Sequence, residues 1–234
     1  MNRLLNELDS IKASEKTKKN TLNYVLSKKQ KNNYKPFVIA MMVTCVLLFT
    51  FISLPSKSTS AFITMDINPS FEIEINDQYK IINIISYNND GDKIMNQEKL
   101  KGKQFQEALS TLLSNQEYEQ YLNDGILEIS IFSLDKKLSN ELEKYIDKQL
   151  KQKQIKQYHC SQIDEATHNN ASQHHMSAGK FSVIEKILSY SSNYSQVELK
   201  TKSMRELYDI LEQLNPDDVP NSCQSHGQHK NKRK

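Results

Sequence analysis

The longest uninterrupted apolar run lies near the start of the chain. Phe37 to Leu54 reads FVIAMMVTCVLLFTFISL, 18 residues without a charge, and only Thr44, Thr50 and Ser53 are polar. As a helix it would cover roughly 27 Å, close to the hydrocarbon thickness of a bilayer. Pro36 and Pro55 bracket it, where a helix should stop. We expect a transmembrane helix over 37–54. The alternative is a cleaved signal peptide, whose apolar core is usually about 7 to 15 residues and whose leader is shorter than this one.

Beyond the Ser/Thr/Lys stretch Ser56–Ser60 the pattern changes to period two. Ala61 to Ile67 is apolar-rich, and Phe71, Ile73 and Ile75 alternate with Glu72 and Glu74. That alternation predicts a strand with one buried and one wet face. Asn76-Asp77 supplies a turn, Tyr79 to Tyr87 a further strand, and Asn88-Asn89-Asp90-Gly91 another turn, giving an antiparallel meander. Helical spacing follows over Lys103–Leu113, through Phe105, Ala108, Leu109, Leu112 and Leu113. A fourth strand is expected over Ile126–Leu134. A long helix from about Asp135 would bury Leu138, Leu142, Tyr145, Ile146 and Leu150.

From Lys151 to Met176 periodicity is lost and Gln, Asn and His accumulate, which reads as a linker or a frayed helix end. Ser177 then precedes an apolar face of Phe181, Ile184, Ile187 and Leu188. Ser195 with Glu198 and Ser203 with Glu206 are capping-box candidates, the second ahead of Leu207, Ile210, Leu211 and Leu214. Asn215-Pro216 ends the last helix, and the polar tail from Asn221 is expected to be disordered. The fold class expected is α+β: a single transmembrane helix, then a small antiparallel sheet with helices on one face, then a C-terminal helical module. The segments are 1–36 (tail), 37–54 (span), 59–157 (α+β domain), 176–214 (helical module) and 221–234 (tail).

Charge orients this arrangement. The formal net charge is only +3, but nine basic and three acidic residues lie before Pro36, and Lys57 alone follows the span closely. The positive-inside rule therefore keeps the N-terminus cytoplasmic and puts everything from Pro55 outside. The tail also carries apolar residues at helical spacing: Leu4, Leu5, Leu8 and Ile11, then Leu22, Val25 and Leu26 after a break at Ser14. Some 35 residues cannot enclose a core. Those positions are candidates for a helix that orders on a partner or on membrane lipid.

Candidate chemistry centres on Asp66-Ile67-Asn68-Pro69-Ser70. The structural reading is a turn dividing two strands, since Pro does not sit inside a paired strand. The chemical reading is self-cleavage. The Asn68 side-chain nitrogen attacks its own backbone carbonyl, closes a succinimide and expels the Pro69 nitrogen, with Asp66 orienting the asparagine and Ser70 stabilising the oxyanion.

Other chemistry finds little support. His159, Cys160, His168, His174 and His175 are metal-capable, but their spacing matches no ligand register, so no metal or cofactor is expected. Cys160 and Cys223 would share an oxidising compartment, and sequence alone leaves open whether they are bridged or free. Neither G-x-S-x-G nor H-E-x-x-H occurs, and no multiple-turnover activity is expected. The terminal HKNKRK reads as a solvated tail and not as a nucleic-acid patch.

The run Ala61 to Asn76, AFITMDINPSFEIEIN, with the apolar strand and Asn-Asn-Asp-Gly after it, resembles the extracytoplasmic domain of RsgI-type anti-sigma factors. Leu100-Lys101-Gly102-Lys103 leading into a helix fits the same pattern. Met176-Ser177-Ala178-Gly179-Lys180 and Met204-Arg205-Glu206-Leu207 resemble the helical module of related proteins. The resemblance implies that residues 1–36 hold an alternative sigma factor at the membrane. It implies that the outer domain cuts itself between Asn68 and Pro69 and that strand pairing keeps the pieces together. A stimulus then separates them, and an intramembrane protease frees the sigma factor. The inner tail is shorter than the family's usual sigma-binding domain. A membrane-anchored extracellular protein that binds wall polymer or metal is the competing reading.

Overall fold

The computed structural model describes residues 13–27, 38–45 and 58–224. The chain divides into two compact units, Met1–Leu54 and Pro55–Lys234. In the first, α1 (Glu15–Ser27) begins where the Thr17 N–H reaches Ser14 Oγ at 3.2 Å, the break expected at Ser14. Residues 38–45 are also helical. Among the described residues no helix is long and apolar enough to cross a membrane, and the rest of the expected span lies outside them.

The second unit is α+β. Its strands are β1 (Ala61–Asp66), β2 (Ser70–Ile75), β3 (Ile81–Ser86), β4 (Leu127–Phe132) and β5 (Tyr158–Gln162). They form one sheet in the order β3-β2-β1-β4-β5. The meander is as expected, but β5 pairs parallel to β4, with Leu127 opposite Tyr158, so the sheet is mixed and not purely antiparallel. A parallel neighbour needs a long crossover, and α5 (Lys136–Gln152) supplies it. Asp135 caps that helix, accepting from the Lys137 N–H at 2.8 Å, and Leu138, Leu142, Ile146 and Leu150 are buried.

The segment read as a linker is therefore structured. It holds β5 and α6 (Glu165–Gln173), capped by Asp164. Its strand, YHCSQ, is half-buried from Tyr158 to Ser161 and exposed at Gln162, and its helix buries only His168 and Ala171, so neither carries a hydrophobic period. The Asn88–Gly91 turn is likewise the start of a helix: Asn88 caps α2 (Asn89–Gln97). Helices α3 (Phe105–Leu112) and α4 (Gln116–Asp124) follow.

One face of the sheet carries Ala61, Ile63, Met65, Phe71, Ile73, Ile75, Leu127, Ile129 and Ile131. These share a core with Ile94, Phe105, Leu109, Leu112, Tyr118 and the buried face of α5. Each of the larger aliphatic or Phe side chains contributes roughly 1.5–3 kcal/mol on leaving water. The opposite face was expected to be wet. It is covered instead by α6, α7 (Ala178–Tyr190) and α9 (Met204–Leu214), with α8 (Gln196–Lys200) packed on α7, and these helices have a second core of their own. Helices thus lie on both faces. Ser203 and Glu206 form the expected capping box at α9. Residues 221–224, expected to be disordered, form a turn in which Cys223 is buried and Ser222 Oγ donates to the Tyr158 carbonyl at 2.6 Å.

Candidate functional site at the Asn68–Pro69 hairpin

β1 and β2 pair as far as Asp66 opposite Ser70, so Ile67-Asn68-Pro69 is the whole hairpin loop. Proline has no N–H for the ladder and belongs in such a loop. The Ile67 N–H donates to the Pro69 carbonyl at 3.1 Å, and the Ile67 carbonyl accepts from the Met204 N–H, the first residue of α9, at 2.8 Å. Pro69 is buried and Asn68 partly exposed. Among the described residues, left-handed backbone occurs at Tyr79, Gln154, His175 and Gly102, none of them in this loop.

The N-terminal turn of α2 closes over the loop. Asn88 Oδ1 accepts from the Gly91 N–H at 2.8 Å and from the Ser70 N–H at 3.1 Å. Its Nδ2 donates to the backbone carbonyl of Asn68. Asp90 Oδ2 accepts from Asn68 Nδ2 at 2.6 Å. Gly91 lets the helix come this close, because a Cβ there would sit 2.5 Å from the Ser70 carbonyl oxygen and 2.6 Å from Ser86 Oγ. The Tyr121 phenol completes the surround, its pKa raised by burial and then by the Asp90 carboxylate. Asn68 faces a cleft of about 480 Å³ lined by Ile67, Lys93, Glu117, Tyr121 and Arg205.

Asp66 and Ser70 have other partners than those expected of them. Asp66 Oδ1 accepts from Ser70 Oγ and from Ser177 Oγ, each at 2.5 Å. Neither side chain has a hydrogen bond to Asn68. They tie the hairpin to the residue before α7. Burial raises the Asp66 pKa to about 6, against the pull of the two serine hydroxyls and then of Lys180. Lys180 is itself pushed down by burial. The same polar face carries Glu72, bonded to His168 Nε2 at 3.1 Å, and Glu128, bonded to His159 Nδ1 at 3.0 Å and to the Tyr208 hydroxyl at 2.7 Å. Asn88 and Asp90 were missed in the sequence because Asn-x-Asp-Gly was taken for a turn. An Asn cap followed by Asp90 and Asp92 in the first turn was the available signal.

The other candidates are dispersed. Leu22, Val25 and Leu26 lie on α1 at i, i+3 and i+4 spacing and are exposed at 59%, 64% and 68%, forming an exposed apolar stripe. Leu4, Leu5, Leu8 and Ile11 lie outside the described residues. Cys160 and Cys223 are free thiols. Cys160 packs against the main core and Cys223 belongs to the second, across the sheet.

A profile for the "Anti-sigma factor RsgI-like central domain" matches residues 60–186, from β1 into α7. The chain belongs to the RsgI-like anti-sigma factor family. It is 32% identical over 114 residues to the anti-sigma-I factor RsgI of Bacillus anthracis, covering 48% of this chain and 26% of that protein. It is 38% identical over 66 residues to the anti-sigma-I factor RsgI of Bacillus subtilis (strain 168), covering 26% and 17%. To the anti-sigma-I factor RsgI9 of Acetivibrio thermocellus it is 27% identical over 119 residues, covering 47% and 17%. The aligned stretch thus spans about a quarter or less of each relative's length. In this RsgI-like domain the matched region takes in the hairpin, the cap of α2, Ser177 and Gly179. The α9 residues Met204 and Arg205 lie outside it.

Proposed function

We propose that this chain is a membrane-tethered anti-sigma factor. Residues 1–36 hold an alternative sigma factor in the cytoplasm, 37–54 span the membrane, and the α+β unit lies outside. The bond between Asn68 and Pro69 breaks by attack of the Asn68 side chain, and a stimulus then draws the two pieces apart. An intramembrane protease cuts the span and releases the sigma factor. Family membership supports the regulatory role.

The observation that carries the rest is the place of β1. It is the central strand, paired along its length with β2 on one side and β4 on the other, and Asn68-Pro69 lies in the loop that follows it, separated from its end by Ile67 alone. A break there leaves the tail and the span joined to the outer unit by one strand, held without a covalent link. Pulling that strand out removes the middle of the sheet, an all-or-none event of the kind a signal needs.

The partner is tested by purifying the full chain from membranes with its associated proteins. A sigma factor is expected to co-purify and to be lost from Leu22→Glu and Leu26→Glu chains, which place charges on the α1 stripe. Recovery of the chain with no sigma factor would favour the membrane-anchored binding protein instead.

A further inference from the structure

We propose that Asn88 and Asp90 are the catalytic residues of the Asn68–Pro69 scission, an inference that rests on the reading that this bond breaks. Closing a succinimide asks an unreactive amide nitrogen to attack an unreactive carbonyl. Two groups would help: an acceptor for a proton on the attacking nitrogen, and a donor to the carbonyl oxygen as negative charge develops on it. The structure has one of each on the reacting atoms. Asp90 Oδ2 is 2.6 Å from Asn68 Nδ2, and Asn88 Nδ2 donates to the Asn68 carbonyl oxygen.

The orientation of Asn88 is settled by its surroundings. Its other side-chain atom receives the backbone N–H groups of Gly91 and Ser70, so that atom is the oxygen and the NH₂ faces the loop. The donor is held before the reaction starts, at no reorganisation cost during it. Asp66 and Ser70, the residues the motif itself offers, are bonded to each other and to Ser177, so they leave both tasks to α2.

Asp90 takes one proton from Asn68 Nδ2, and that nitrogen bonds to the Asn68 carbonyl carbon. The oxygen, held by Asn88 Nδ2, carries the charge of the tetrahedral intermediate. The carbon–nitrogen bond to Pro69 then breaks, and the Pro69 nitrogen leaves as a secondary amine with a proton returned by Asp90 or by water in the adjoining cleft. The N-terminal fragment ends in a succinimide. Water opens it to a terminal asparagine or to the aspartyl α-amide.

The test follows cleavage of the full-length chain over time after pulse-labelled synthesis into lipid nanodiscs. Asn88→Asp keeps the acceptor that caps α2 and removes the donor to the carbonyl. It is expected to slow cleavage about 100- to 1000-fold. Asp90→Asn keeps the shape and removes the base, and a loss of about 100- to 10,000-fold is expected. Both should melt as the parent chain does. If the parent chain itself stays whole, the scission reading fails. If it is cut and both variants are cut at its rate, the assignment fails alone. Hydroxylamine added to the parent chain tests the chemistry without relying on a variant's folding. A hydroxamate at position 68 of the N-terminal fragment supports attack by Nδ2, and its absence overturns the role given to Asp90.

Discussion

The two faces of the sheet are buried to similar depth and made of opposite materials. On one, Ile63, Ile73, Ile129 and Ile131 are at most 1% exposed and belong to the main hydrophobic core. On the other, Thr64, Asp66, Glu72, Glu128 and Ser130 are at most 3% exposed, beneath α6, α7 and α9. The first face drives folding. The second spends part of that gain, since Thr64 Oγ1, Ser130 Oγ and Asp66 Oδ2 have no protein partner and a buried unpaired polar atom costs about 1–3 kcal/mol. What the polar face gains is specificity: Ser177 on Asp66 and Tyr208 on Glu128 fit the helices in one position. The C-terminal helices are thus held on the polar face less firmly than α2 to α5 are held on the apolar one.

Substitutions should separate the faces. The largest effect is expected at Phe71→Ala, which removes a fully buried ring packed against Tyr118. A loss of about 3–5 kcal/mol in urea unfolding is expected. A loss under 1 kcal/mol would mean that this face is not the main source of stability.

Asp66→Asn should act through pH. The folded pKa is about 6 and the ordinary value 3.8, so the folded state binds the extra proton between them. The stability from this group is full below about pH 4 and is lost as pH rises through 6. Relative to the parent chain, the Asn variant should therefore gain with rising pH over that window, by about 3 kcal/mol at most. A difference independent of pH between 4 and 7 would contradict the burial of a carboxylate there.

Gly179→Ala probes how closely the helices sit. A Cβ would lie 2.7 Å from Glu128 Cγ, and Glu128 is held by His159 and Tyr208 and has little room to move. We expect a loss of about 1–3 kcal/mol, with faster amide exchange in α7 and α9 while β1 and α5 stay protected. Uniform exchange across the unit would mean that the two faces open together. The smallest effect is expected at Thr64→Val, which deletes an unpartnered hydroxyl at constant shape. Its unfolding free energy should be unchanged or higher by up to about 1 kcal/mol, the opposite sign to substitutions on the apolar face.

The same contrast explains what the sequence revealed. The meander, α3, β4, α5 and the capping box of α9 were legible because each has a clear hydrophobic period or a cap. The polar face was not. Glu72 and Glu74 alternating with Phe71, Ile73 and Ile75 look the same whether water or another layer lies outside. β5 and α6 were lost for a related reason: they are held by strand pairing and by His168 on Glu72, not by an apolar stripe. At the hairpin, Asp-x-Asn-Pro-Ser identified the loop. The groups touching Asn68 come from some 20 residues further on, a proximity that only the pairing of β2 with β3 creates.

Scission after Asn68, with the two pieces staying assembled, is tested most directly by isolating the full-length protein from membranes, under native conditions, and sequencing every N-terminus present. We predict two chains in equal amount that co-migrate until denatured, one of them beginning Pro69-Ser70-Phe71. A single intact chain, or a new N-terminus elsewhere, would contradict it.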